Sequence, residues 1–266
     1  MRAATFVAYT MTNSQKYVSR ETTMTSEALK QLRIQCNDWE IQLDATQLRL
    51  LSDYARLLSR YELANVIGTR DRDQIITEHF VDSLSCLAAT DAKWDGSLVD
   101  VGTGGGLPGV PLGIACPDIR VMLLEATEKK VRFLEYVKTK LELGNLTVLH
   151  ARAEAAGRES RYRAAFELAT ARALAALPVV LEYCAPLVGP GGKVLALKGQ
   201  LQEGELSRGV AAARELGAEL SETIVLNYRP QLPQKERQLI VFDKVSVTPA
   251  RFPRRTGLAK KRPLGA

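Results

Sequence analysis

Apolar residues recur at two different spacings along the chain, and the change of spacing separates an N-terminal region from the rest. From Glu27 to about Leu87, apolar side chains return every three to four residues, as at Leu48, Leu51 and Leu58. That period is typical of amphipathic helices that bury one face. The N-terminal region is therefore predicted to be helical.

After residue 94 the pattern changes to short apolar runs separated by helical stretches. Five runs predict strands, at residues 98–101, 121–125, 146–149, 166–171 and 192–199. Strands that alternate with helices predict a parallel sheet that is covered on both faces. A helix after the fourth strand is expected to be broken by Pro178 and Pro186.

The last two strand-like runs, 218–228 and 237–244, follow each other without an intervening helix. A short loop that contains proline joins them, so they are predicted to pair as an antiparallel hairpin. The predicted fold is α/β: a Rossmann-like sheet of seven strands, mostly parallel with a C-terminal antiparallel hairpin, and an N-terminal helical cap.

The same patterns divide the chain into four regions. The first is polar and without a period, so it is predicted to be a disordered leader, and Met11 or Met24 is an alternative start to Met1. The regions are the leader at 1–25, the helical region at 26–93, the sheet domain at 94–245 and a basic tail at 246–266.

The composition excludes several classes of protein. Of the 266 residues, 46% are hydrophobic and 25% are charged, which is ordinary for a globular protein. The four cysteines are scattered without a C-x-x-C pair and only two histidines occur, so neither a metal site nor histidine-dependent hydrolysis is predicted. The apolar runs are too short to span a membrane, and no secretory signal is visible. We expect a cytoplasmic protein.

The net charge of +6 comes from the tail. Residues 246–266 carry six basic side chains and no acid, whereas basic and acidic side chains balance in the remainder. A cluster of cations suits contacts with the phosphates of a nucleic acid. The tail residues predicted to bind RNA are Arg251, Arg254, Arg255, Lys260, Lys261 and Arg262.

A glycine-rich loop follows the first predicted strand. Five of the eight residues from 102 to 109 are glycine, which permits positive φ and close approach of a ligand to the backbone. Pro108 is predicted to lie in the first turn of the next helix, whose free N–H groups would face the ligand. A nucleotide-like ligand is therefore expected against Gly102, Gly104 and Gly106.

Two cofactors fit such a loop. Gly104, Gly106 and Gly109 match the dinucleotide fingerprint, so an NAD-dependent oxidoreductase is one alternative. Asp100, which precedes the loop, would repel a pyrophosphate but can hold the ammonium group of S-adenosylmethionine, directly or through water. A purely structural role for Asp100, as an acid that bonds a turn or a helix N-terminus, is also open.

Acids after the next two strands favour S-adenosylmethionine. Glu125 ends the second strand at a spacing suited to ribose hydroxyls, and Glu154 follows the third strand, where it is placed for the adenine edge. A solvated position on a surface helix is the alternative for Glu154. The predicted terminal hairpin also favours this cofactor, because the sheet of a class I methyltransferase ends in that way.

The loop and its continuation resemble one particular family. One contiguous run is similar to the central motif of the 16S ribosomal RNA (guanine-N7) methyltransferase G family, also called glucose-inhibited division protein B. This run is Val99-Asp100-Val101-Gly102-Thr103-Gly104-Gly105-Gly106-Leu107-Pro108-Gly109-Val110-Pro111-Leu112. Further matching segments are Asn65, Arg70-Asp71, His79, Asp82-Ser83, Lys130–Leu134, Arg152–Glu154, Ala171–Ala173, Ala196–Gly199 and Arg251–Leu264.

The resemblance implies roles for individual residues. Gly102 and Leu107 would line the cofactor, Ala153 and Glu154 would contact its adenine end, and Arg172 would lie at the mouth of the active site. With the residues argued above, the predicted cofactor set is Asp100, Gly102, Gly104, Gly106, Leu107, Glu125, Ala153, Glu154 and Arg172.

Arg172 follows the fourth strand, so it is expected at the carboxyl edge of the sheet, where it can position the substrate. An ion pair with Glu167 or Glu182 is its structural alternative. Arg70, His79 and Lys198 are further candidate RNA contacts. Since guanine N7 carries a lone pair and no proton, we expect no proton-transfer residue.

The resemblance thus implies an enzyme that uses S-adenosylmethionine to methylate guanine N7 in 16S ribosomal RNA, with the RNA or the small ribosomal subunit as partner. We expect a monomer and no metal. A non-catalytic RNA-binding factor for ribosome assembly stays open beside the oxidoreductase.

Overall fold

The computed structural model describes residues 27–88, 94–234 and 236–265. The predicted leader and its alternative starts at Met11 and Met24 lie outside the described residues.

The N-terminal region is helical, as predicted. Helix α1 covers residues 27–38 and is followed by α2 (Ala45–Arg60). Asp44 caps α2 through a capping box with Gln47. Helix α3 (Arg72–Gln74) continues through a π-helical segment (Ile75–Phe80) into α4 (Val81–Ala88).

The described part of the chain contains a seven-stranded sheet in the order β3-β2-β1-β4-β5-β7-β6. The first five strands are parallel, and β7 pairs antiparallel with both β5 and β6. The predicted mostly parallel sheet with an antiparallel C-terminal hairpin is confirmed. The strands are β1 (Ser97–Val101), β2 (Arg120–Glu125), β3 (Leu146–His150), β4 (Phe166–Arg172), β5 (Val188–Lys198), β6 (Ala218–Val225) and β7 (Gln238–Lys244).

The remaining helices follow the strands. They are α5 (Gly109–Ala115), α6 (Glu128–Lys140), α7 (Ala153–Ala156), α8 (Leu177–Cys184), α9 (Glu205–Glu215) and α10 (Leu258–Lys261), with a 3₁₀ turn (Ala185–Leu187) after α8.

The helix after β4 ends at Cys184, and Pro186 lies in the 3₁₀ turn that follows, as expected for that proline, but the predictions for Pro178 and Pro108 were wrong. Pro178 lies in the first turn of α8 and does not break it, because the first-turn N–H groups have no partner within a helix. Pro108 occupies the N-cap position of α5, one residue before its predicted place.

Apolar residues form a core on each face of the sheet. The side chains of β1 alternate: Leu98 packs in the core with Leu32, Tyr54 and Phe80 of the helical region, whereas Val99 packs in the opposite core with α8 and α9. The helical region therefore covers one face of the sheet and shares a core with it. Its last helices lie beside the carboxyl edge of the strands.

The C-terminal segment, which we define as residues 246–265, is folded against the sheet domain. The Arg163 guanidinium donates to the backbone carbonyls of Gly157, Thr248, Pro249 and Phe252. Phe252 and Ala259 are buried. Among the residues described, no helix is long and apolar enough to cross a membrane, and no cluster of histidine, cysteine or acidic side chains has the make-up of a metal site.

Candidate active site

The glycine loop makes a tight turn between β1 and α5. Gly102, Gly104 and Gly106 have φ angles of +68°, +61° and +97°, in the region that favours glycine. A Cβ on residue 102 would stand 2.5 Å from Leu174 Cδ1, and one on residue 106 would stand 2.7 Å from the Tyr54 hydroxyl. The loop therefore needs glycine for both its conformation and its packing.

Asp100 is built into this turn. Its side chain is fully buried, and its Oδ2 accepts hydrogen bonds from the Thr103 hydroxyl at 2.5 Å and the Gly109 N–H at 2.8 Å. Its Oδ1 accepts from the Thr170 hydroxyl at 3.1 Å. Burial raises the pKa of Asp100 to about 6, although these three hydrogen bonds oppose the shift.

These contacts bear on two predictions. The Asp100 carboxylate holds the loop and the N-terminus of α5, as its structural alternative describes. Its predicted contact with a cofactor ammonium group, directly or through water, stays a prediction. The first N–H of α5 is likewise used by Asp100 and does not face a ligand.

A cavity of about 450 Å³ opens at the carboxyl ends of β1, β2 and β3, a size that falls in the usual range for small-molecule sites. It brings together four of the predicted cofactor residues, Gly102, Glu125, Ala153 and Glu154. We call it the cofactor cavity.

Two buried acids form part of its wall. Glu125 accepts hydrogen bonds from the Gly104 N–H at 3.0 Å and the Thr127 N–H at 2.8 Å. Glu154 accepts from the Gly257 N–H at 2.9 Å, and burial with the Glu154 charge raises the pKa of Tyr183 to about 12. The backbone thus fixes both carboxylates at the edge of the sheet.

The remaining predicted residues lie elsewhere. The Gly104 N–H donates to Glu125 Oε2, Gly106 is buried, and Leu107 packs in the core shared with the helical region. These contacts shape the loop, and the predicted roles of the three residues in lining a cofactor stay predictions. Sequence reasoning did not place Lys130, Tyr183, Thr256 or Gly257 at a cofactor site, and it assigned Lys260 to RNA; all five also line the cavity.

A second cavity of about 290 Å³ lies beside the first, at the ends of β4, β5 and β7. It collects Arg172, Lys198 and His79, which the sequence proposed separately. Ala173 lines both cavities, so the two are adjacent. Arg172 therefore belongs to this second cavity, which we call the basic cavity.

Asp82 organises the basic cavity. Its Oδ2 accepts from Arg172 Nη1 at 3.3 Å and from Arg237 Nε at 3.0 Å, and its Oδ1 accepts from the Tyr228 hydroxyl at 2.6 Å. Arg172 Nη2 also lies 2.9 Å from His79 Nδ1. Burial lowers the pKa of Arg172, and the Asp82 charge opposes that shift.

Arg172 is thus paired with Asp82, and the predicted alternative of Glu167 or Glu182 was wrong. Glu167 bonds Ser97 and Glu182 bonds Arg254. Sequence reasoning missed Arg237, because its position follows from the pairing of Gln238 with Lys198 between antiparallel strands. Only the order of β5 and β7 reveals that register.

The predicted RNA contacts differ in exposure. Lys198 forms an ion pair with Glu205 at 2.7 Å and is largely buried. Arg254 forms a bidentate ion pair with the fully buried Glu182, so it serves the fold, and its predicted contact with RNA stays a prediction. The exposed candidates are Arg70, Arg251, Arg255, Lys260, Lys261 and Arg262.

The fold, the glycine loop and the cofactor cavity define a class I S-adenosylmethionine-dependent methyltransferase. Residues 47–235 match the family described as rRNA small subunit methyltransferase G. The chain belongs to this family, and the predicted resemblance is confirmed.

Curated relatives extend over most of the chain. Ribosomal RNA small subunit methyltransferase G of Rubrobacter xylanophilus is 44% identical over 238 residues, covering 89% of this chain and 91% of the relative. The protein of the same name from Carboxydothermus hydrogenoformans is 38% identical over 228 residues, which cover 85% of this chain and 96% of that relative.

Among solved structures, the fold is similar to that of geranyl diphosphate C-methyltransferase from Streptomyces coelicolor, solved with S-adenosyl-L-homocysteine. That likeness has a TM-score of 0.50 and 12% identity, and covers 74% of this chain and 98% of the other. Neither an oxidoreductase nor a non-catalytic assembly factor finds support in these comparisons.

Proposed function

We propose that this protein transfers a methyl group from S-adenosylmethionine to N7 of a guanine in 16S ribosomal RNA. The observation that carries the proposal is the pair of adjacent cavities with a shared wall at Ala173. One cavity has acids fixed at its edge and the other is basic. Methyl transfer needs two ligands side by side, with the acceptor atom close to the methyl group.

The cofactor cavity fits S-adenosylmethionine. Glu125 stands at the end of β2, the position that binds ribose hydroxyls in related nucleotide sites, and Glu154 would hold the adenine end. Gly102 and Leu174 both belong to the cavity wall, so the backbone at the start of the glycine loop borders the ligand space. When bound, the cofactor supplies an electrophilic methyl group.

The basic cavity suits one nucleotide of an RNA. Arg172 and Arg237 share the single carboxylate of Asp82, so together these three groups carry one excess positive charge. Their remaining N–H groups can donate to oxygens of a guanine or a phosphate. Sequence-specific binding to RNA commonly takes an unstacked base into such a pocket.

The chain has little acid–base chemistry to perform. Guanine N7 has a free lone pair, so the residues of the site need to bind, orient and exclude water. Asp82 contributes by fixing both arginines before the substrate arrives, since a guanidinium held by a buried carboxylate loses little freedom on binding.

The exposed cations Arg70, Arg251, Arg255, Lys261 and Arg262 support docking to RNA phosphates, which salt should weaken steeply. The small ribosomal subunit or its RNA is the proposed partner, and the cytoplasm the proposed place of action. The monomer expected from the sequence stays a prediction.

The test uses purified protein, labelled S-adenosylmethionine and unmodified ribosomal RNA, offered both naked and in small subunits. We expect label in 16S RNA as 7-methylguanosine, mapped by mass spectrometry. Arg172→Ala should lower turnover about 100-fold and change cofactor affinity much less, because the arginine lies in the basic cavity. Arg161→Ala, at an exposed site outside both cavities, is the control.

Label in another base or no label in RNA would contradict the proposed function. If Arg172→Ala lowered turnover and cofactor affinity equally, Arg172 would instead be assigned to the cofactor site.

A further inference from the structure

The C-terminal segment lies against the cofactor cavity. Thr256, Gly257 and Lys260 form part of the cavity wall, although the basic composition of this segment predicts contact with RNA. The segment that carries the excess positive charge of the chain therefore also borders the cofactor cavity.

The segment is anchored on both sides of these residues. Before them, Arg163 donates to the carbonyls of Thr248 and Phe252 at 2.6 Å and 2.8 Å. Arg254 is held by Glu182 through bonds of 2.6 Å to 3.1 Å, and its Nη2 also donates to the carbonyl of Arg262. The part between Arg254 and Arg262 is thus closed into a compact loop.

One hydrogen bond connects this loop to the cavity itself. The Gly257 N–H donates to Glu154 Oε1 at 2.9 Å, and Gly257 adopts a φ of +80° at the start of α10. Glu154 lies in α7, shortly after the end of β3, and lines the same cavity. The C-terminal segment therefore sets the position of a cavity acid as well as closing the wall.

We propose that the C-terminal segment is part of the cofactor-binding site and that Lys260 donates a hydrogen bond to the adenosine half of S-adenosylmethionine. This inference rests on the proposed function, because it takes that cofactor as the ligand. It assigns to the segment a role that is separate from docking to RNA.

The order of the strand ends selects the adenosine half. The glycine loop follows β1, Glu125 ends β2 and Glu154 follows β3, and these strands are neighbours in the sheet. If the ribose binds at Glu125, the adenine base extends away from the glycine loop and toward β3. Lys260 belongs to the wall on that side, with Gly257 and Glu154.

The neighbouring lysine provides a matched control. Lys260 and Lys261 are both exposed and both lie in α10, yet Lys260 lines the cavity and Lys261 lies outside its wall. Either substitution removes one positive charge from the same segment. A general electrostatic effect would weaken binding in both variants, whereas a direct contact affects only one.

The experiment measures dissociation constants by calorimetry for full-length wild type, Lys260→Met and Lys261→Met. The probes are S-adenosylhomocysteine and 5′-methylthioadenosine, which lacks the amino-acid end. We expect Lys260→Met to weaken both probes about tenfold, the value of one hydrogen bond from a charged donor. Lys261→Met should stay within about twofold, and both variants should keep the wild-type thermal midpoint.

Equal effects of the two substitutions, or none from either, would overturn the role of Lys260. If Lys260→Met weakened binding of S-adenosylhomocysteine but not of 5′-methylthioadenosine, the assignment of Lys260 to the adenosine half would be overturned. If wild type binds no S-adenosylhomocysteine at all, the proposed function itself fails, which separates the two conclusions.

Discussion

The hydroxyl of Tyr54 donates a hydrogen bond to the backbone carbonyl of Gly105. Tyr54 lies in α2, is fully buried and stacks on Phe80 with ring centroids 5.3 Å apart. This bond attaches the helical region to the glycine loop across 51 residues of sequence. The helical region therefore supports the loop that shapes the cofactor cavity.

Tyr54→Phe tests that support. The Gly105 carbonyl would lose this buried donor, so we expect the free energy of unfolding to fall by about 1 to 3 kcal/mol. Affinity for S-adenosylhomocysteine should fall with it, because the loop relaxes. Urea unfolding and calorimetry provide the two measurements. Tyr136→Phe, at a half-exposed tyrosine of α6, should change stability by less than about 0.5 kcal/mol, and a similar loss there would contradict the prediction.

Gly102→Ala should damage the cofactor cavity. The φ of +68° disfavours alanine, and the new Cβ would stand 2.5 Å from Leu174 Cδ1. We expect binding of S-adenosylhomocysteine to weaken by at least about tenfold, equivalent to about 1.4 kcal/mol. Among the described residues, no atom apart from those of Gly144 and its two chain neighbours lies within 4 Å of a Cβ built there. Gly144→Ala should therefore bind normally, and wild-type affinity in both variants would show that the loop tolerates a side chain.

Glu182→Ala should strongly destabilise the protein. The substitution leaves Arg254 partly buried without its carboxylate, and breaking a buried ion pair typically costs about 3 to 5 kcal/mol. The matched change is Glu159→Ala, which removes an exposed partner of Arg161 and should cost less than about 1 kcal/mol. Comparable thermal midpoints for the two variants would argue that the C-terminal segment contributes little to stability.

The pKa of Asp100, about 6 in the folded protein, lies above its usual value near 4 when unfolded. The folded state therefore binds more protons between these values. Asp100 therefore stabilises the folded state fully below pH 4. This stabilisation, on the order of 3 kcal/mol, is lost as pH rises through about 6. Asp100→Asn removes this titration.

The stability difference between wild type and Asp100→Asn, measured in urea from pH 4 to pH 7, should accordingly shift against the wild type as pH increases. A difference that is constant over this range would contradict the raised pKa. Other titrating groups cancel in the difference, since both proteins contain them.

The sequence by itself determined the order of strands and helices, the antiparallel end of the sheet and the family. Hydrophobic period is a local property, and the run from Val99 to Leu112 is a contiguous motif, so both can be interpreted without a structure. The loop glycines and the acids Glu125 and Glu154 were found for the same reason, since each stands next to the end of a predicted strand.

Only the tertiary structure decided which charged groups meet. Arg172, Arg237 and Asp82 come from three distant parts of the chain, and the order of β4, β5 and β7 brings them together. The tail is a second example. Its charge predicted contact with RNA, yet in the structure Arg254 forms an ion pair with Glu182 and the Gly257 N–H donates to Glu154. A residue's type and spacing fix what it can bind, whereas its burial and neighbours in space fix what it does bind.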